Sequence, residues 1–326
     1  MAAGPRRTKA GPWLAVCICG PGRPPQPALQ WLIMDALLHS ISYAGTWGQA
    51  FLTVEQFIAK AAELGYDGVL LAAKRPHVSL LDYDRRARSR LRRLIEKHGL
   101  RRVALAGYNN FTADLEHPDI PTQEIQIQYV LELARLAADL GGDLVRIFTG
   151  YEHPVLGYAA QWNMVVAAIK QCARRAARFG VTIGVQNHHD LACGWESLRD
   201  LIQAVDEPNC KALFDAWAPA LQGADIAAAA RQMGAITAHT TIANYQRRPR
   251  YRLDAGVVNY TPLTPYVLAV PVDEGFIDYR AFLSALREGG FQGTVAYEMC
   301  SPLAGGGSLE NLDRCARRFI EFIRSV

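Results

Sequence analysis

Short apolar runs recur along this chain, and longer stretches with apolar positions three and four residues apart lie between them. The runs at 37–43, 68–72, 102–106, 143–148, 181–186, 210–215, 235–240 and 293–298 have the length and composition of buried strands. Between the first two, residues 53–64 start at Thr53, place Phe57, Ile58, Ala61 and Leu64 on one face, and stop at Gly65. Residues 122–140 run from Thr122 to Gly141, and residues 158–179 end at Gly180. A last helix starts at Ser308 and repeats Leu309, Leu312, Cys315, Phe319 and Ile323 on one side. Eight such strand–helix units in about 290 residues predict a single (β/α)₈ TIM barrel. No G-x-G-x-x-G follows the first strand and no G-x-x-x-x-G-K-[ST] occurs, so nucleotide-cradling folds lose support.

Two segments break this rhythm. Residues 1–33 are rich in Pro and Gly without periodicity, and the apolar stretch after Arg6, Arg7 and Lys9 is short and lacks a cleavage site. They are expected to be a disordered extension or a mis-assigned start ahead of Met34, with the barrel occupying 34–326. Residues 241–275 are expected to be a long loop after the seventh strand, with Arg247, Arg248, Arg250 and Arg252 interleaved with Tyr245, Tyr251, Tyr260 and Tyr266. On the mouth side of a barrel, such a loop caps a substrate, meets another subunit or simply carries solvated arginines.

Composition narrows the classes. With 326 residues, half of them hydrophobic, the chain can bury a large core. The net charge of +4 falls largely on helical segments such as Arg85–Arg93, which is too little for a nucleic-acid partner. Seven Cys without C-x-x-C spacing predict reduced thiols and a cytoplasmic location. No run is long enough to span a membrane.

The chemistry gathers at four polar side chains. Gln186, Asp215, His239 and Glu298 close the runs 181–186, 211–215, 235–239 and 294–298. Read with period two, each lies on the same side as small or mixed residues, while Val181, Ile183, Val185, Phe214 and Val295 take the face under the helices. Oxygen and nitrogen donors at the C-terminal ends of parallel strands describe a divalent-metal site at a barrel mouth.

From Met34 to its end the chain resembles the xylose isomerase-like TIM-barrel superfamily of sugar isomerases and epimerases. The resemblance rests on Gln186, Asn187 and His188 in GVTIGVQNHHD, Asp215 in KALFDAW, His239 in AITAHTTIAN and Glu298 in GGFQGTVAYEMCSP. Arg146 in LVRIFTG and the stretch VDEGFIDYRAFLSALREGGFQG add to it. It implies one divalent ion, Mn²⁺ first and Mg²⁺, Co²⁺ or Zn²⁺ next, held by Gln186, Asp215, His239 and Glu298. It also implies a small sugar or keto-sugar substrate in a homo-oligomer without nucleic-acid or membrane partners.

The family pattern has a Glu where Gln186 stands. An amide has no usable basic pKa, so Glu298 is left as one base and His188, two residues past Gln186, becomes the replacement. The alternative for His188 is a supporting hydrogen bond to the site. Arg146, Tyr108, Asn109, Trp217 and His77 are expected to bind substrate, against loop packing or a structural ion pair. The implied activity is a sugar isomerase or epimerase working by proton abstraction beside a metal-bound carbonyl. A lyase acting by dehydration or C-glycoside cleavage is the alternative. A non-catalytic sugar-binding barrel and a DNA-repair endonuclease are more remote.

Overall fold

Each predicted apolar run folds as a parallel strand because its alternate side chains are buried on both faces. A computed structural model gives the protein's fold for Met1, Gly4 and residues 34–326, so the expectation for 1–33 lies outside the described residues. The first half runs β1 (Ala36–His39), α1 (Val54–Glu63), β2 (Gly68–Ala72), α2 (Arg85–Lys97), β3 (Arg102–Ala106), α3 (Thr122–Asp139), β4 (Leu144–Ile147) and α4 (Tyr158–Ala176). The second continues with β5 (Thr182–Gln186), α5 (Trp195–Val205), β6 (Cys210–Leu213), α6 (Trp217–Leu221), α7 (Ile226–Met233) and β7 (Thr237–Ile242). It ends with β8 (Asn244–Asp254), β9 (Asn259–Val270), α8 (Tyr279–Glu288), β10 (Thr294–Tyr297) and α9 (Leu309–Arg324).

Eight strands close in the order β1-β10-β7-β6-β5-β4-β3-β2, all parallel. This is the predicted (β/α)₈ barrel. Leu37, Leu70, Ala104, Ala106, Leu144 and Ala296 plug its inside, and the opposite parity, including Leu38, Val69, Leu105 and Ile183, packs under the helices. The predicted caps form. Thr53 accepts from Gln56 N while Gln56 accepts from Thr53 N, and Ser308 accepts from Asn311 N. Among the described residues no helix is long and apolar enough to cross a membrane, and the five described cysteines are free thiols.

Two departures from the sequence reading bear on the site. First, residues 234–236 form a 3₁₀ turn, so β7 begins two residues later than predicted and ends at Ile242. Second, the expected loop 241–275 is mostly an antiparallel hairpin, β8 against β9, paired from Asn244–Val270 to Asp254–Asn259. Buried Asn244 locks its base. Its Nδ2 donates to Val272 O (2.6 Å) and Ile277 O (2.9 Å), and its Oδ1 accepts from Tyr245 N and Ile277 N. Gly275 packs so closely here that a Cβ would collide with Asn244 Oδ1. Asn244→Ala would strand several buried backbone groups and is expected to cost about 3 kcal/mol. Urea unfolding measures the loss, and an unchanged midpoint would remove Asn244 from this role.

Candidate active site

Above the apolar plug, the C-terminal strand ends bring Gln186, Asp215, Thr241 and Glu298 around a small cavity. The Asp215 carboxylate accepts three hydrogen bonds. Its Oδ1 accepts from Trp217 N (2.8 Å), and its Oδ2 accepts from Gln186 Nε2 and Thr241 Oγ1, both at 3.0 Å. Gln186 Nε2 also lies 3.0 Å from Thr241 Oγ1, closing a triangle of three side chains from three strands. Asn187 holds the triangle in place, donating to Asp215 O (2.9 Å) and accepting from Asp215 N (2.7 Å).

Glu298 follows β10, its backbone N–H donating to Ile242 O. Its carboxylate keeps 15% exposure, and Oε1 lies 3.7 Å from Nε2 of fully buried His39 at the end of β1. His39 Nδ1 accepts from Ile41 N (3.2 Å), which places the ring hydrogen on Nε2, facing Glu298. Burial and the nearby Asp215 charge push the Glu298 pKa up, against Arg146 and Thr241, which pull it down. Burial likewise raises Asp215.

The four donors expected for a metal do not share one shell. His239 lies on the inward parity of β7, opposite Thr294 and two residues before Thr241. Its Nδ1 is 2.6 Å from Thr294 Oγ1. Among the described residues, Asp215, His239 and Glu298 do not bring three ligand atoms all within 4.8 Å of one another. Asp215 Oδ2 already accepts from an N–H and an O–H donor, and an amide and a hydroxyl stand where charged ligands would serve best. The residues as placed therefore do not fit a tightly held divalent ion. Asp114, Glu116 and His117 do come within that distance, in the exposed loop after β3. There His117 pairs with Asp114 (2.6 Å) and His153 with Glu116 (3.0 Å), which accounts for the cluster without a cation.

Arg146 from β4 is buried, 1% exposed, with no ion pair within 4.0 Å among the described residues. Its guanidinium lies 4.1 Å from the Phe148 ring centre and 5.0 Å from that of Tyr108, which Lys74 also approaches at 3.9 Å. Burial is the main cause that lowers the histidine pKa values nearby, with Arg146 adding to it. His239 is held at about 3, and His189, stacked between Phe148 and Tyr151, is also held at about 3. Both stay neutral in the folded protein, whereas the unfolded chain protonates them below about pH 6.5. Their contribution to stability is full above that pH and declines as pH falls towards their folded values. Two such groups give a slope of up to about 2.7 kcal/mol per pH unit. His239→Gln is expected to lower the measured slope by up to about 1.4 kcal/mol per pH unit in urea unfolding between roughly pH 6 and pH 4, and an unaltered slope would contradict it.

The other expected site residues divide. His188 lines the cavity, and its Nδ1 is 3.0 Å from His189 Nδ1. The residue is exposed, yet its ring lies against Phe148 (4.7 Å), and loss of water with Arg146 nearby holds its pKa below the ordinary range. Trp217 lines the cavity and packs on Tyr245 at 5.0 Å. Tyr108 lies beside Arg146. Asn109 is a clamp whose amide bonds Phe148 N and Phe148 O. His77 sits outside the cavity, stacked with Phe51 and Phe57 and bonded through Nε2 to Leu52 O (3.3 Å). Sequence reasoning missed His39 and Thr241, and placed Tyr245 only among the tyrosines of the expected loop 241–275. Only Thr241, two residues past His239 on the same parity, carried a usable signal.

Around the mouth, His39 Nε2, Tyr108 Oη, Arg146 Nε, Gln186 Oε1 and Trp217 Nε1 are buried without a hydrogen-bond partner among the described residues, as is His239 Nε2 deeper in the barrel. Bare polar atoms cost roughly 1–3 kcal/mol each, so their concentration at one strand end marks a polar ligand site. The cavity itself measures about 20 Å³, room for about one water. Binding anything larger requires the side chains over it to move.

Solved structures similar to this fold include a D-psicose 3-epimerase with D-tagatose from Clostridium cellulolyticum, at 18% identity and TM-score 0.69, covering 90% of this chain and 99% of that one. A D-allulose 3-epimerase from Methylomonas sp. aligns at 17% identity and TM-score 0.66, over 90% and 97% of the two chains. A probable 3-DHS dehydratase from Bacillus anthracis aligns at 18% identity and TM-score 0.65, over 88% and 99%. At these identities the likeness shows the fold. A search of curated proteins returns no match. The profile of the xylose isomerase-like TIM barrel family matches residues 58–325, and the chain belongs to that family.

Proposed function

We propose that the barrel mouth is an acid–base site that isomerises or epimerises a small sugar or keto-sugar, with Glu298 as the base. The observation that carries this reading is a carboxylate of raised pKa at the strand ends, next to unpartnered polar atoms suited to hydroxyl and carbonyl groups. Glu298 takes the proton from the carbon beside the substrate carbonyl. Negative charge then develops on the carbonyl oxygen, and buried Arg146 supplies the opposing charge where water is scarce. Trp217 and Tyr245 add aromatic lining to the cavity. Epimerases among the similar folds support the sugar isomerase or epimerase class of this reading.

The second reading, elimination by a lyase, needs a proton delivered to the departing oxygen. His188 is the group placed to do it, and its lowered pKa leaves it neutral and a poor acid near pH 7. That favours returning the proton to carbon. Glu298 gives it to the neighbouring carbon in isomerisation, or to the other face of the same carbon once the enediol has turned over in the site in epimerisation. A cytoplasmic location belongs to the same proposal. Incubation with ketoses and 3-keto-glycosides in D₂O tests it by mass and NMR. Deuterium gained without loss of a group is expected; an eliminated product would replace this reading with the lyase, and neither outcome would leave a binding role.

A further inference from the structure

We propose that the β8–β9 ribbon is a docking arm for a second copy of this chain, seated on that copy's loops after β3 and β4. Residues 247–262 of the ribbon are all exposed, and a two-stranded hairpin standing alone in water is marginally stable. Its pairing sorts the side chains cleanly. Tyr251 lies opposite Pro262 and Leu253 opposite Tyr260, so these four share one apolar face, while Arg250 and Arg252 take the other. An uncovered apolar ribbon face of this kind marks an interface.

A complementary surface exists on the same molecule. The loops after β3 and β4 and the first turns of α3 and α4 expose Ile120, Ile125, Tyr151, Val155 and Tyr158. Asp119, Glu124 and Glu152 lie among them, exposed and without ion pairs among the described residues. Arg250 and Arg252 are likewise unpaired, and their long side chains can reach past the ribbon's edge to those carboxylates. In the barrel order, β3 is four strands from β7, directly across the mouth. A two-fold axis therefore satisfies both contacts at once, ribbon to loops and loops to ribbon, and closes the assembly at two copies. Each ribbon then also lies over its partner's mouth.

Sedimentation equilibrium of the full chain at micromolar concentration tests this. The wild type is expected to be a dimer that weakens with salt. Leu253→Ser with Tyr260→Ser, both on exposed positions, is expected to give a folded monomer with an unchanged circular dichroism spectrum and a melting temperature that no longer depends on protein concentration. Arg250→Glu with Arg252→Glu should also be monomeric, and mixing it with a Glu124→Lys, Glu152→Lys chain should restore dimers. A monomeric wild type, or a dimer in the Ser variant, would overturn the proposal. So would salt-dependent binding of a short DNA duplex or phosphatidylserine vesicles by the monomer through these arginines.

Discussion

Glu298→Gln is expected to lower turnover by about 10²- to 10⁴-fold, the usual worth of a positioned general base, while the barrel stays folded. The amide keeps the shape and the contact with Thr241 but cannot accept a proton from carbon. Stability should move the other way. Burial and Asp215 raise the Glu298 pKa, so the folded state holds this proton more tightly than the unfolded chain does. That contribution is fully present below the unfolded value of about 4.3 and is lost as pH rises through the folded value. A Gln titrates nowhere, so the variant should gain on the wild type as pH rises and melt at the same or a higher temperature at pH 8. Loss of turnover together with a lower melting temperature would instead make Glu298 a structural residue.

The second large effect concerns the metal. Wild type is expected to bind Mn²⁺ weakly, because Gln186 and Thr241 hydrogens fill Asp215 Oδ2 and His239 lies deeper in the strand. Gln186→Glu combined with Thr241→His removes both hydrogens and adds a carboxylate and an imidazole at the mouth. Mn²⁺ affinity should then rise by about 100-fold or more, read by titration calorimetry or by loss of the free-ion resonance. Without metal, the same variant gathers three buried carboxylates and should lose several kcal/mol of stability. Tight stoichiometric Mn²⁺ binding by the wild type would contradict the hydrogen-bonded triangle as the resting arrangement.

The sequence made β5 legible because VTIGVQ alternates cleanly and ends at Gln186, and α1 legible because its Thr53–Gln56 caps are local. Strand β7 was harder. Residues 235–242 keep one parity throughout, so its window can slide by two without changing which side chains face inward. His239, a familiar metal donor, drew the reading away from Thr241, and only the pairing with β6 and β10 settles the level. The run 37–43 concealed a similar break, since the chain leaves the sheet at His39 for a 3₁₀ turn. In the ribbon, Pro249, Pro262 and Pro265 interrupt a pattern that alternates well otherwise. Edge strands tolerate such prolines, but the partner strand that makes them edges is not visible from either segment alone. Arg146 was readable as a candidate, whereas its burial against Tyr108 and Phe148 follows from closure of the barrel.

The most direct measurement is exchange of the substrate's carbon-bound hydrogen in D₂O by chelator-treated protein, wild type against Glu298→Gln. Exchange that persists in the wild type without metal and falls about 10²-fold or more in the variant is the expected result. Exchange that appears only when Mn²⁺ is added back, or that survives intact in Glu298→Gln, would contradict proton transfer by Glu298 in a site built from protein groups.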